Sequence, residues 1–165
     1  MQEGHFYFLT KDYFRDFPDD LLMGRTDRPC FFAFKDMDTG IFWMVPFSSK
    51  VGKYEDIYKH QIKKYGRCET LVFGQVLGRK KAFLIQNMCP VLPKYIQNEY
   101  KDQFSMSVAV SGQLEKEIIR KAKKVLLLYR KGIKLIFPNV LDIEEKLLDI
   151  LRAGEDEGQK EPITV

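Results

Sequence analysis

"CFFAFKDMDTGIFWMVPF", residues 30–47, carries two apolar runs split by a short polar stretch. The runs are rich in aromatic and β-branched residues, and "DMDTG" (36–40) supplies the Asp and Gly of a turn. The segment reads as a β-hairpin with a five-residue loop. Its strands are almost continuously apolar, so both faces are expected to be buried.

The period changes immediately after this hairpin. Tyr54, Ile57, Tyr58, Ile62 and Tyr65 fall at helical spacing, and Gly66 is a natural stop. Upstream, "HFYFLT" (5–10) reads as a short strand and residues 11–29 as a loop with one helical turn. Downstream, "ETLVFGQVL" (69–77) and "KAFLIQNM" (81–88) form a second hairpin around "GRK" (78–80). "CPVLPKYIQNEY" (89–100), with its two prolines, reads as a connector ending in a short helix. Residues 114–131 give a clear amphipathic helix, with Leu114, Ile118, Val125 and Tyr129 in one stripe widened by Ile119 and Leu126. A last helix is expected over 139–154, with Asn139 as N-cap and Gly154 as stop.

Antiparallel pairs with helices between and after them indicate an α+β fold. At least five strands suffice for a small, strongly curved antiparallel sheet or partial barrel with flanking helices. One domain is expected over 1–154, followed by an acidic, disordered tail at 155–165. The 165 residues are 45% hydrophobic and 30% charged, a globular composition. No apolar run spans a bilayer and no signal peptide is visible. The three cysteines are widely spaced and make neither a disulfide framework nor a CxxC motif, which points to a reducing cytoplasm.

The net charge is +4, unevenly placed. Lys50, Lys53, Lys59, Lys63, Lys64 and Arg67 face only Glu55 and Asp56, and a second basic cluster lies over 116–134. Two basic segments in one small domain suggest a polyanion partner, although a lysine-rich helix face is also what a solvated helix carries.

Several chemistries find little support. There are two histidines, His5 and His60, and no closely spaced metal-ligand cluster outside "DMDTG". That stretch resembles the start of a calcium loop, but a hairpin turn accounts for the same residues. "PFSSK" is not a nucleophile elbow, "GQVLGR" is not a P-loop, and no GxGxxG occurs. Neither a metal nor a cofactor is expected.

Metal-free RNA cleavage remains open because its nucleophile, the ribose 2′-hydroxyl, belongs to the substrate. The protein has to supply proton transfer and donors around the phosphorane. "SSKVGK" (48–53) places two hydroxyls and two ammoniums where a strand enters a helix, a sound phosphate site. The plainer alternative is that Ser48 and Ser49 cap the helix while the lysines are solvated.

Four stretches, in order, carry a family resemblance: "FYFLTKDYF" (6–14), "DRPCFFAF" (27–34), "WMVPFSSKVGKY" (43–54) and "VLGRKKAFLIQNMCPV" (76–91). Together they resemble the ToxN/AbiQ family of endoribonuclease toxins from type III toxin–antitoxin systems, in particular its CptN-like branch. The resemblance implies a compact barrel-like fold similar to the Kid and MazF toxins. It implies a bacterial RNase that cuts cellular or phage RNA in abortive infection, held inactive by a repeated pseudoknot RNA in a higher-order protein–RNA assembly.

The family's active-site tyrosine falls on Tyr13 and its paired hydroxyl residues on Ser48 and Ser49. Val51 stands where the family has its lysine, so Lys50 or Lys53 takes that part, with Lys53 favoured for the phosphorane and Lys50 for a phosphate contact. Arg28 is the substitute for a further basic position near Cys30. RNA phosphates are expected on Lys59, His60, Lys63, Lys64 and Arg67, and on Arg120, Lys121, Lys124 and Arg130. A non-catalytic RNA-binding module on the same surface is the alternative reading. A topoisomerase poison, by analogy with the related CcdB toxins, is a third.

Overall fold

In the computed structural model, which describes residues 1–22 and 26–158, the chain is α+β. Its strands are β1 (Phe6–Leu9), β2 (Cys30–Lys35), β3 (Phe42–Ser48), β4 (Leu71–Val76), β5 (Arg79–Leu84), β6 (Cys89–Val91) and β7 (Ile96–Glu99). The helices are α1 (Lys11–Asp16), α2 (Val51–Tyr65), α3 (Gly112–Arg130) and α4 (Val140–Gly158). The strands form one seven-stranded antiparallel sheet in the order β4-β5-β3-β2-β1-β7, with β6 paired to β3 off this path. Among the described residues the sheet is open, with β4 and β7 at its ends.

The 30–47 hairpin is the centre of this arrangement. Both its strands are buried through most of their length, as their unbroken apolar runs require. Phe6, Phe31, Trp43, Met44 and Phe83 have no or almost no exposed surface and share one core cluster. Each such side chain contributes about 1.5–3 kcal/mol on burial, and edge-to-face pairs such as Phe6–Phe31 and Phe31–Phe83 add orientation. The "DMDTG" loop closes with Gly40 N–H donating to the Asp36 carbonyl, while the Asp36 carboxylate accepts from Asp38 N–H and pairs with Arg130.

One side of β3 is shared by two partners. Its first half (Phe42–Met44) pairs with β6, and its end (Phe47–Ser48) pairs with β5. That handover places the last residues of β3 beside the second half of β5, at Ala82 and Phe83.

Three expectations are corrected here. Residues 89–100 contain β6, a single 3₁₀ turn at Pro93–Tyr95 and the edge strand β7, with no α-helix. Pro90 and Pro93 flank an extended segment, and β7 is polar and half exposed, so its alternation is faint in the sequence. The second hairpin turns at Leu77–Gly78, not around "GRK". Val76 pairs with Arg79, and Leu77 and Gly78 both have positive φ (49° and 76°), a two-residue type I′ turn. The last helix runs past its expected stop at Gly154 to Gly158, so residues 155–158 of the expected tail are helical. Its remainder, 159–165, lies outside the described residues.

α3 lies on β4 at Gly74, where a Cβ would collide with Leu114. Ser111 caps it by accepting from Leu114 N–H. α2 packs through Tyr54 and the partly buried Ile57 and Tyr58 on a small second core of Cys68, Leu71, Ala82 and Leu84. The far end of its apolar stripe projects outward: Ile62 and Tyr65 are exposed. Among the described residues no helix is long and apolar enough to cross a membrane.

Candidate functional site

Two residues, Ser49 and Lys50, separate β3 from α2. The Ser48 hydroxyl oxygen accepts from Lys50 N–H at 3.1 Å, and Val51 N–H donates to the Ser49 carbonyl at 2.9 Å. These short-range bonds turn the chain from strand to helix. The N-cap position of α2 is Lys50, which makes no side-chain capping bond, and the first turn holds no acidic residue. Its leading N–H groups and the positive end of the helix dipole therefore favour an external anion.

Ser49 is held from across the sheet. Lys81 Nζ donates to the Ser49 hydroxyl oxygen at 2.7 Å. The register explains the contact: Ser48 pairs with Ala82, so Lys81 stands level with Ser49. Both serine oxygens thus act as acceptors, from Lys50 N–H and from Lys81. Each hydroxyl keeps its own proton for donation. An O–H donor so held, beside ammonium groups and a helix N-terminus, suits a phosphate oxygen.

Lys50 and Lys53 are exposed at this junction, and Lys53 Nζ lies 5.4 Å from the centroid of the Tyr54 ring. Lys80, next to Lys81, is engaged differently: its Nζ is 2.6 Å from Glu55, and this contact holds the Glu55 carboxyl below its usual range. Two clefts, of about 410 and 490 Å³, lie elsewhere, the first lined by Thr10, Asp27 and Gln97 and the second by Gly74, Leu77 and Val110 among others. The serine–lysine cluster is an open surface, accessible to a long polymer.

Ser48, Ser49, Lys50 and Lys53 all lie at the β3–α2 junction, and Tyr13 lies apart from them. Tyr13 is fully buried, with its ring against Phe14, Phe17 and Tyr95. Its hydroxyl donates to the Pro90 carbonyl at 2.7 Å. Pro90 pairs with Trp43, five residues before Ser48 on β3, so about 16 Å of strand intervenes. Burial, first of all, pushes the Tyr13 hydroxyl well above its ordinary value of 10.0. Its expected catalytic role is corrected to a structural one.

The basic surface divides in the same way. Lys59, His60, Lys63, Lys64 and Arg67 are exposed along the outer face and end of α2, and Arg28 and Arg120 are exposed elsewhere. Lys121 is buried, and its Nζ donates to the Cys68 carbonyl at 3.0 Å, with Glu117 at 3.5 Å. Lys121 falls on the apolar stripe of α3, three residues after Ile118 and four before Val125, so it ties the helix to the 66–70 segment. Lys124 binds Glu69 at 2.8 Å. Arg130 binds Glu144 at 2.6 Å and Asp36 at 3.4 Å. Placing Lys121 on an RNA surface is corrected, since it is buried; Lys124 and Arg130 stay partly exposed while paired with carboxylates. In Glu144 the loss of solvent outweighs Arg130, and its carboxyl is raised above the usual range.

Lys81 was not legible as a site residue. Its signal was the basic run "RKK" (79–81), masked by the turn-like "GR" before it. Only the β3–β5 register shows which of the three meets a serine. Among the described residues, no three His, Cys, Asp or Glu side chains group as metal ligands, and Cys30, Cys68 and Cys89 are buried free thiols. No protein-family model matches the chain, and no curated protein matches it at a significant level.

Proposed function

We propose that the chain is an endoribonuclease toxin of a type III toxin–antitoxin system, working without a metal. The observation that carries this reading is the pair of serine hydroxyls at the β3–α2 junction, each held as an acceptor with its proton left to donate. The four-motif resemblance to the ToxN/AbiQ family supports it, and a strongly curved, partial-barrel sheet akin to that of the Kid and MazF toxins belongs to the same reading.

In the reaction, the scissile phosphate docks on Ser48, Ser49 and the first turn of α2. The 2′-oxygen attacks phosphorus while its proton passes to water. The P–O5′ bond breaks, and O5′ takes up a proton from water. The products are a 2′,3′-cyclic phosphate and a 5′-hydroxyl. Negative charge that develops on the non-bridging oxygens meets the serine O–H groups and the ammoniums of Lys50 and Lys53. Both lysines serve as charge stabilisers and not as proton acceptors in this step.

Lys59, Lys63, Lys64 and Arg67 extend the basic surface along α2 from this point. A folded antitoxin RNA lying on that surface would cover Ser48 and Ser49 and block substrate sterically. The test is incubation of the purified protein with a mixed-sequence RNA in EDTA. Cleavage is expected to persist. Binding without cleavage would favour a non-catalytic RNA-binding module instead.

A further inference from the structure

We propose that Lys81 is a catalytic residue of this site, the ammonium that both holds Ser49 and faces the charge of the phosphorane. The inference rests on the RNA-cleavage reading and adds to it a residue from a different strand.

Four observations converge on Lys81. Among the described residues, its ammonium is the one that touches either serine hydroxyl, at 2.7 Å. An ammonium has three N–H donors; one goes to Ser49 and two remain for an anion. Its backbone is fixed on both sides, since Lys81 pairs with Gly74 of β4 while the neighbouring Ala82 pairs with Ser48 of β3. Lys50 and Lys53, by contrast, project from the exposed start of a helix. Finally, no carboxylate among the described residues lies within ion-pair distance of Lys81, whereas Lys80 beside it is matched by Glu55.

These features fit transition-state stabilisation. A donor fixed before the reaction needs no reorganisation when charge appears, and that is where electrostatic catalysis gains most. The Lys81 N–H to Ser49 bond also polarises the serine, which strengthens Ser49 O–H as a donor to a non-bridging oxygen. As attack proceeds, charge on that oxygen grows and both contacts tighten. Lys81 keeps its proton throughout. The bonds made and broken are those of the phosphodiester alone.

The test compares the wild-type protein with Lys81→Ala, Lys81→Met and Lys81→Arg. Lys81→Met retains the aliphatic stem, so it reports on the charge even where Lys81→Ala folds poorly. Single-turnover cleavage of a short RNA is measured at saturating protein, and binding of its 2′-deoxy counterpart is measured by fluorescence anisotropy. Lys81→Met should slow cleavage by about a hundredfold or more, with a much smaller loss of oligonucleotide binding, and Lys81→Arg should recover part of the rate. Equal losses of binding and rate would make Lys81 an ordinary phosphate contact and overturn the proposal. A wild-type rate in Lys81→Met would overturn it as well, while leaving the cleavage reading intact. A wild-type protein that binds the oligonucleotide and never cuts RNA would end the cleavage reading and the Lys81 assignment together.

Discussion

Replacing Tyr13 by phenylalanine separates its structural part from a chemical one. The substitution removes one hydroxyl and keeps the ring, so the packing against Phe14, Phe17 and Tyr95 is retained. What is lost is a fully buried hydrogen bond of 2.7 Å to the Pro90 carbonyl. A net bond of this kind contributes about 1 kcal/mol, and leaving the acceptor without its donor in the interior adds to the cost. The expected destabilisation is about 1–2 kcal/mol, a fall in Tm of roughly 3–6 °C for a domain of this size. Thermal and urea denaturation followed by circular dichroism would measure it. RNA cleavage by the folded variant, assayed well below its Tm, should match the wild type. A Tyr13→Phe variant with unaltered Tm and no cleavage would refute the reasoning, because the hydroxyl would then act on substrate and not on Pro90.

Further outcomes follow from individual contacts. Lys121→Glu would bury a carboxylate beside Glu117 and remove the donor to the Cys68 carbonyl; a loss on the order of 3–5 kcal/mol is expected, read as a collapse of the urea midpoint. Leu77→Asn should raise Tm by roughly 2 °C, since leucine is disfavoured at the positive φ that this turn requires and asparagine tolerates it. Lys124 holds the Glu69 carboxyl below its ordinary value of 4.5, chiefly through their hydrogen bond. A depressed folded-state pKa gives stability that is complete above the unfolded value and is lost as pH falls through the folded one. Lys124→Met should therefore lower stability at neutral pH and flatten its fall in acid below about pH 4.5, by urea titrations across that range. Charge reversal at Lys63 and Lys64 should weaken RNA binding and reduce its salt dependence, since fewer counterions are released; unchanged affinity and slope would remove α2 from the RNA surface.

The parts of the fold that show in the sequence are those in which one physical signal dominates. The 30–47 hairpin is an unbroken apolar pair around a glycine turn, and the structure buries it as such. α3 follows its stripe closely. β7 escapes notice because an edge strand with one polar face has little alternation to read. The Leu77–Gly78 turn is hidden because leucine is a poor residue for it and "GRK" (78–80), which overlaps it at Gly78, reads as the turn instead. In the site, Ser48, Ser49, Lys50 and Lys53 are neighbours in sequence, so local reading brings them together. Lys81 lies 32 residues from Ser49 and meets it through strand register. Charge counting failed on Lys121 for the converse reason, because composition does not tell a solvated cation from one matched inside the fold.

The most direct test of the account uses an oligonucleotide that is deoxyribose throughout except for a single ribonucleotide, incubated with the protein in EDTA and resolved by mass spectrometry. The account predicts one cut, on the 3′ side of that ribonucleotide, leaving a 2′,3′-cyclic phosphate on one fragment and a 5′-hydroxyl on the other, with Ser49→Ala strongly impaired. Cleavage of an all-deoxy strand, or products that end in a 3′-hydroxyl, would contradict it.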